Sequence, residues 1–544
     1  SVSSEHDHNI IGNQWDRYAN PTSSNNITMT LILQKGVEIG DQDQDQEEYD
    51  YDCEYCIFQT PLESSDDLFR LLRELEEVLQ AQTFQQQNQS SNNGKKRKLS
   101  RRLVLEKAHW SPNAWQHLET ILERYSSMIE SLEFRSTFDP VKLQTLGKIE
   151  RLILQYTPLG PFCLCLTASM QTVKELTVGS STLSVTSATL FAQSYLSNPS
   201  CRLQSLDLSG TRFLDDASSC LANGLRDHGG SLQSLCLSEC NLMDEQISAI
   251  VEGLVVCCRH ITPAAFSLRE LDISFNKSRH RSTTYLALLL KASTRIRKLS
   301  MGFQAFGEAK RIDLSPIFAA LVSSSCHLTE LDIGGNNLRD SDIPSLVDAL
   351  CHNSTTLQIL DVSANRFTNE CIALLANNFS RMTTTLQQLI MEDIRDLDHQ
   401  CIPILTKALI SSDNHTLHTI ELDEKKLVVH SSKDNRSKSS SSSNNSNNVC
   451  WERLKYRLDL NWSGVRLLMQ QQEPHRSSRC GGSNVPLALW PLVLQRVNNT
   501  KTTGGGQQQQ QHKNMKSRLP FAAADIHYYL LREGSVFLNH IHNQ

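Results

Sequence analysis

Two eleven-residue stretches share one order of apolar and polar positions and start 29 residues apart, at Leu328 and Leu357. They read LTELDIGGNNL and LQILDVSANRF, with apolar residues at positions 1, 4, 6 and 11 and Asn at position 9. The alternation through positions 4 to 6 predicts a short strand with one buried face. A strand this short cannot bury its apolar edge alone, so the pattern predicts similar neighbours stacked on both sides.

Further copies of the pattern predict such a stack. They begin at Ile149, Val173, Leu203, Leu232, Leu268, Ile296, Leu386, Leu417 and Lys455. The stretches between them have helical periodicity, and in residues 342–353 Ile343, Leu346 and Leu350 share one face of a helix. We therefore expect one strand and one helix in each repeat of about 28–29 residues.

The order L-x-x-L-x-L-x-x-N-x-L resembles the leucine-rich repeat, and a strand with a full helix resembles its ribonuclease-inhibitor subfamily. The resemblance covers residues 149–430. It implies an α/β solenoid in the form of a horseshoe, with parallel strands on the concave face and helices on the convex face. Position 9 is occupied by Asn276, Asn336, Asn365 and, as a substitute, Cys240. We expect these side chains to turn inward and to satisfy backbone groups of the loop that follows each strand.

The chain before the repeats divides into three predicted segments. Residues 1–61 are polar and acidic, which indicates a largely disordered region, with one strand pattern at 27–34. Residues 62–102 combine an amphipathic helix with a Gln/Ser-rich and basic linker. Residues 103–148 have a strand pattern and then a helical one, and we expect them to cap the first repeat, whose core edge would otherwise be exposed.

After the repeats, residues 431–449 are predicted to form a Ser/Asn-rich loop. Residues 450–544 are predicted to contain a last repeat-like strand and a helical cap with a Gln/Gly-rich insertion. The blocks LDLNWSGVRLL, VPLALWPLVLQRV and DIHYYLLREGSVFL, in this order, are similar to a tail that follows such repeats in uncharacterised proteins of some microalgae. That resemblance implies no known activity, and docking of the tail elsewhere stays open as an alternative to capping.

Composition narrows the function classes. A net charge of −6 gives no overall attraction to nucleic acid or to an anionic membrane. No apolar run reaches the roughly 18–20 residues of a membrane span. The 16 Cys are irregularly spaced, which favours reduced thiols in an intracellular, cytoplasmic protein. The chain does not start with a basic region followed by an apolar one, so we expect no secretory signal.

Acidic residues recur at positions that point to the predicted concave face, between the buried leucines. Position 5 in successive repeats from Leu203 is occupied by Asp207, Cys236, Asp272, Ser300, Asp332, Asp361, Ile390, Glu421 and Asp459. Asp423, two residues after Glu421, widens this acidic row. Adjacent strands lie about 4.8 Å apart, so these carboxylates form a candidate docking surface for a basic partner. The alternative is that Asp is common at this position and merely solvated.

Two aromatic residues, Phe275 and Phe303, occupy equivalent exposed positions in adjacent repeats. Neighbouring aromatic rings on a polar surface are typical anchors of a protein interface. The pair is therefore a second candidate for partner binding. The alternative is that the rings pack against each other or lie under one of the long loops nearby.

Two other motifs are less specific. One basic run consists of Lys95, Lys96, Arg97 and Lys98 and resembles a nuclear localisation signal. The alternative is a solvated run of charges without a targeting role. Cys53 and Cys56 form one C-x-x-C, but a zinc site needs four ligands and no second pair stands at a matching spacing. We therefore expect no metal and no cofactor.

Taken together, these patterns predict a non-catalytic, monomeric scaffold that binds another protein on its concave face, and neither nucleic acid nor a membrane. One alternative is a Ran-type GTPase activator, a family with this repeat type and a catalytic arginine in a loop near its N-terminal repeats. Arg212 lies in such a loop, but its surroundings do not support that role. The other alternative is a substrate adaptor of a ubiquitin ligase, because VPLALWPLVLQRV is faintly similar to an F-box helix, although it follows the repeats.

Overall fold

The computed structural model describes residues 31–33, 53–58, 66–89, 101–422, 454–455 and 458–459. Within 101–422 it leaves out 107–109, 126–127, 138–141, 229, 262–265, 305–311, 353, 383–384, 399, 413 and 415. Of the C-x-x-C pair only the backbone is described. The predictions that lie outside the described residues concern the basic run at 95–98, Asp423, the loop at 431–449 and the tail helices at 485–497 and 525–538.

Fourteen strands of the described chain form one sheet. Its edge strand β1 (Leu31–Leu33) pairs antiparallel with β2 (Cys53–Phe58). From β2 onward the pairing is parallel, through β3 (Arg101–Glu106), β4 (Ser131–Arg135), β5 (Arg151–Gln155), β6 (Glu175–Gly179), β8 (Ser205–Asp207), β10 (Ser234–Cys236), β11 (Glu270–Asp272), β12 (Lys298–Ser300), β13 (Glu330–Asp332), β14 (Ile359–Asp361), β15 (Gln388–Met391) and β16 (Thr419–Leu422). A second, two-stranded sheet joins β7 (Thr182–Leu183) to β9 (Arg212–Phe213).

Helices connect the strands and lie side by side on the other face of the repeats. In chain order they are α1 (Asp66–Gln89), α2 (Pro112–Arg124), α3 (Cys163–Ala168), α4 (Val185–Leu190), α5 (Ala217–Arg226), α6 (Asp244–His260), α7 (His280–Ala292), α8 (Ser315–Leu321), α9 (Ile343–Leu350), α10 (Asn369–Asn377) and α11 (Cys401–Ser411). A π-helical turn, Phe191–Leu196, continues α4, and short 3-10 turns occur at Gly160–Phe162 and Asp340–Asp342.

The apolar positions of the repeat form one continuous core. Leu331 and Leu360, at position 4 of β13 and β14, pair in register and are both almost completely buried. Strands in a sheet are about 4.8 Å apart, whereas packed helices need about 8–10 Å. Because each repeat supplies one strand and one helix, the strand side must be the shorter, concave one.

The parallel sheet extends further towards the N-terminus than the repeat pattern indicates. The helical pattern of residues 112–132 ends at Arg124, and β4 follows it and pairs with β5. β4 contains the buried Glu133, an unusual strand residue, which two arginines of the same sheet neutralise. The N-terminal region, residues 1–61, predicted to be largely disordered with one strand pattern at 27–34, contributes β1 and β2 to the sheet.

The chain after β16 also differs from the prediction at the few residues described there. Leu454, Lys455, Leu458 and Asp459 are helical, although the repeat pattern predicts a strand from Lys455. Leu454 and Leu458 are buried in the common core. Asp459 therefore does not extend the strand column that the spacing placed it in.

Candidate functional site

Position 5 of the repeats forms a continuous column across the sheet. Parallel register aligns, one strand after another, Asp207, Cys236, Asp272, Ser300, Asp332, Asp361, Ile390 and Glu421. In its C-terminal half, Ser300 separates Asp272 from Asp332, and Asp332 is directly beside Asp361. We call the three residues Asp272, Asp332 and Asp361 the acidic column.

Each aspartate of the acidic column makes the same local hydrogen bond. Its Oδ1 accepts the backbone N–H of the residue two positions later, at 2.9 Å for Asp272 and Asp332 and 2.8 Å for Asp361. This bond closes a turn at the end of the strand, which is a common use of Asp in turns. Sequence reasoning missed this structural role, since it considered only partner binding and solvation.

The central carboxylate, Asp332, is in an unfavourable electrostatic environment. Burial raises its pKa from the usual 3.8 to about 6, and the negative charges of Asp361 and Asp272 act in the same direction. The Gly334 N–H and Lys298 oppose this effect only in part. The ionised form of Asp332 therefore lacks the counter-charge that would stabilise it.

Two glycines leave room for that carboxylate. A Cβ atom at Gly302 would lie 3.2 Å from both carboxylate oxygens of Asp332, and one at Gly334 would lie 3.3 Å from Oδ1. Such contacts are tighter than most in proteins, so a side chain at either position would push against Asp332. Gly302 and Gly334 occupy position 7 of their repeats, next to the acidic column.

Phe275 and Phe303 lie at position 8, where the backbone is left-handed from repeat to repeat. From Tyr156 to Asp393, φ at this position lies between 49° and 67°. Each N–H donates to a carbonyl of the next repeat, as Phe275 does to Gly302 at 2.9 Å and Phe303 to Gly334 at 2.7 Å. We call this row of equivalent residues the position-8 ladder.

The two phenylalanine rings stack on each other. Their centroids are 4.6 Å apart and their planes differ by 3°. The Phe303 ring also covers Gly335, because a Cβ atom there would lie 2.4 Å from Cδ1 of Phe303. Phe275, at the other end of the stack, is still 41% exposed. The rings thus pack against each other, and one of them remains accessible.

Position 9 forms a buried polar ladder beneath these residues. The Asn336 side chain donates to the Met301 and Ile333 carbonyls at 2.9 and 3.1 Å and accepts the Gln304 N–H at 3.0 Å. Side-chain hydrogen bonds to backbone groups of the preceding repeat are also made by Asn276, Asn365 and Cys240. Sequence reasoning missed Gln304, which fills position 9 in the repeat from Ile296 and donates to the Ile273 carbonyl at 2.6 Å. The only sign of this role in the sequence is the position of Gln304 within the repeat.

The two ends of the position-5 column differ from its centre. The same register continues the column through Thr177 and Ile153 to Glu133 in β4. Glu133 is buried and paired with Arg102 and with Arg135, whose Nε lies 2.5 Å from Oε1. At the other end, Glu421 accepts a hydrogen bond from Gln388 at 2.6 Å. Arg212, considered as a catalytic arginine, is exposed in β9. Glu133 is thus neutralised by arginines, whereas Asp332 at the centre of the column has the negative charges of Asp361 and Asp272 near it.

The comparisons with known proteins identify the repeat type. A family model described as Leucine Rich repeat matches residues 324–346. Among solved structures, the chain is similar to an internalin from Listeria monocytogenes, at 14% identity and a TM-score of 0.32, over 59% of this chain and 82% of that one. It is also similar to the C-terminal domain of tropomodulin from Caenorhabditis elegans, at 16% identity and a TM-score of 0.21, over 47% of this chain and 99% of that one. No curated protein sequence matches the chain.

The described residues offer neither a metal-binding cluster nor a membrane-spanning helix. They contain no group of three or more His, Cys, Asp or Glu side chains arranged to hold a metal ion. In the same part of the chain, every helix is too short or too polar to cross a membrane.

Proposed function

We propose that this leucine-rich-repeat solenoid is a non-catalytic scaffold, of the ribonuclease-inhibitor type, that binds a positively charged partner protein on its concave face. The acidic column and the stacked pair Phe275 and Phe303 are the centre of the proposed interface. Glu421 lies at its C-terminal edge, together with Asp423, which is outside the described residues.

The observation that carries this proposal is the position of Asp332. Its carboxylate is partly buried beside Asp361 of the next strand, with Asp272 two strands away on the other side, and a partner's Lys or Arg would supply further positive charge. An ion pair formed there is sheltered from solvent, so the Coulomb attraction between its charges is stronger than in an exposed pair. Position 7 carries glycine on both sides, which leaves the carboxylate open to such a contact.

The aromatic pair supports the same surface. Phe303 and Asp332 come close through their shared neighbours Gly334 and Gly335. An accessible aromatic ring next to carboxylates combines the apolar anchor and the charge that specific interfaces use together. Charge at the rim accelerates association, whereas the ring and the partly buried carboxylate slow dissociation.

Affinity capture from a lysate of the source cells tests the proposal. The baits are the wild-type full chain and a variant with Asp272, Asp332 and Asp361 all changed to Asn. Asn keeps the Oδ1 acceptor that each turn uses, so the fold is preserved while the charge is lost. We expect a basic protein that is retained by the wild type, lost by the variant and released by raised salt.

A convex-face variant controls for charge and apolar exposure. It combines Glu252→Gln with Leu288→Ala, both on exposed positions of α6 and α7. Identical partners on all three baits would contradict the proposal and direct attention to the convex face. Capture of a GTPase whose hydrolysis the chain accelerates, or of a ubiquitin-ligase subunit, would favour the alternative functions.

A further inference from the structure

Phe275 is the open end of a stack whose other end is closed. In the position-8 ladder the order is Glu239, Phe275, Phe303 and Gly335. Phe303 lies against Phe275 on one side and over Gly335 on the other. The other ring face of Phe275 lies on the side of the ladder towards Glu239, and the residue as a whole is 41% exposed.

Glu239 is the next residue of the position-8 ladder on that side of Phe275. Its N–H donates to the Ser274 carbonyl at 3.1 Å, which continues the same series of bonds that positions Phe275 and Phe303. Neighbours in this ladder are therefore separated by about one strand spacing, about 4.8 Å. The Glu239 side chain is exposed, and its carboxylate forms no ion pair with the described residues.

We infer that the open face of Phe275 and the Glu239 carboxylate form a subsite for one arginine side chain of the partner protein, an inference that rests on the proposed function. A guanidinium is planar, stacks on an aromatic face and donates from its edge to a carboxylate at the same time. Asp272, three residues before Phe275 on the same repeat, adds negative charge close to the subsite.

Arginine fits this subsite better than lysine does. A lysine ammonium is a compact, strongly hydrated charge that cannot stack as a plane, whereas the guanidinium is weakly hydrated and flat. The acidic column attracts both cations at long range. Only the stacked contact with Phe275 distinguishes between them, so the ratio of the two affinities measures the subsite.

Two fluorescein-labelled peptides, one of alternating arginine and glycine and one of alternating lysine and glycine, test the inference by fluorescence anisotropy with the full chain. We expect wild type to bind the arginine peptide about five-fold more tightly than the lysine peptide. Phe275→Leu should bring the two affinities together, and Phe275→Tyr should keep the preference. Glu239→Gln should weaken arginine binding more than Glu252→Gln, the matched charge change on the convex face.

Tyr156→Leu is the matched aromatic control, since Tyr156 has the same ladder position and 44% exposure but lies far along the ladder from Glu239. It should leave the preference for arginine unchanged. Equal affinities of wild type for the two peptides overturn the subsite, as does a preference that survives Phe275→Leu. Either result leaves the proposed function intact if Asp332→Asn still weakens both peptides, whereas the proposed function fails separately if that change has no effect.

Discussion

Asp332 shows how one residue can be favourable for binding and unfavourable for folding. The pKa of Asp332 is about 6 in the folded chain, against its usual value of 3.8. Within the pH window between these two values, the folded state therefore binds the proton more tightly than the unfolded state does. Stability therefore falls as pH rises through the window, and the full penalty is present above pH 6. A partner cation would remove the penalty, which couples binding to ionisation of Asp332.

We therefore expect Asp332→Asn to stabilise the protein at neutral pH. The shift corresponds to about 3 kcal/mol for a fully buried group, and solvent at this partly exposed carboxylate reduces the effect to about 1 kcal/mol. Asn keeps the Oδ1 acceptor for the Gly334 N–H. Urea unfolding at pH 7.5 should show the gain, and at a pH near 3.8 the two proteins should be equally stable. A variant less stable than wild type at pH 7.5 would contradict this account.

At the scale of residues, spacing predicted that two aromatic residues are equivalent and left their mutual contact open as one alternative. The pattern placed Phe275 and Phe303 at the same repeat position, and the structure shows that a left-handed backbone at this position brings their rings face to face. It placed Asp at position 5, but the turn that Oδ1 closes depends on backbone geometry beyond the strand. Gln304 fills an Asn position with a longer side chain, which a pattern of residue types excludes.

At the scale of elements, neighbouring helices are joined through their N-termini. Asp244, the first residue of α6, accepts the N–H groups of Arg279, Arg281 and Ser282 at 2.7, 3.2 and 3.0 Å. It also accepts the Ser282 hydroxyl at 2.6 Å. These donors belong to the N-cap and first turn of α7, where backbone N–H groups have no carbonyl partner within the helix. One carboxylate therefore caps the helix of the next repeat.

Asp244→Ala is expected to lower the free energy of unfolding by about 2 kcal/mol, because it removes a cap and its charge-assisted hydrogen bonds. Burial raises the pKa of Asp244, but hydrogen bonds from Ser282, Arg279 and Arg281 outweigh burial and lower it below 3.8. The contribution is thus present above pH 3.8 and is lost as pH falls through the lowered pKa.

Thermal unfolding at pH 7 and at pH 3 measures both parts of this expectation. Glu245→Ala is the control, since Glu245 is the exposed neighbour on the same helix turn. If both variants lose the same stability, the effect comes from charge near α6 and not from the cap. If the Asp244→Ala deficit is as large at pH 3 as at pH 7, the carboxylate is not the stabilising species.

Elements with strong apolar periodicity were predictable, and those stabilised by charge pairs were not. The buried leucines of α1, including Leu68, Leu72 and Leu79, follow the predicted helix face. β4 was missed because Glu133 and Arg135 give it a polar sequence, and only the arginines contributed by the folded sheet make Glu133 tolerable. Tertiary context of this kind is absent from local periodicity.

At the scale of the whole molecule, stability is transmitted from one repeat to the next. The position-9 ladder joins successive repeats, since Asn365 accepts the Asn336 N–H at 3.1 Å and Asn336 in turn accepts the Gln304 N–H at 3.0 Å. A solenoid of this kind behaves as a one-dimensional chain of coupled units. If one of these couplings is lost in the middle of the solenoid, the repeats before it and after it should unfold independently of one another.

Asn336→Ala is such a change. It leaves the Met301 carbonyl and the Gln304 N–H without the side-chain partner they now have and the Ile333 carbonyl with Asn365 alone, which costs about 3 kcal/mol. We expect hydrogen exchange to accelerate in β13, β14 and β15 while β5 and β6 keep the protection of wild type, because the repeats before the lesion still stack on one another. Asn336→Cys, which reproduces the side chain of Cys240 at the equivalent position, should lose less. Uniform acceleration over all strands would instead mean that the solenoid unfolds as one unit, and the acidic column would then be stabilised by the whole molecule rather than by its nearest repeats.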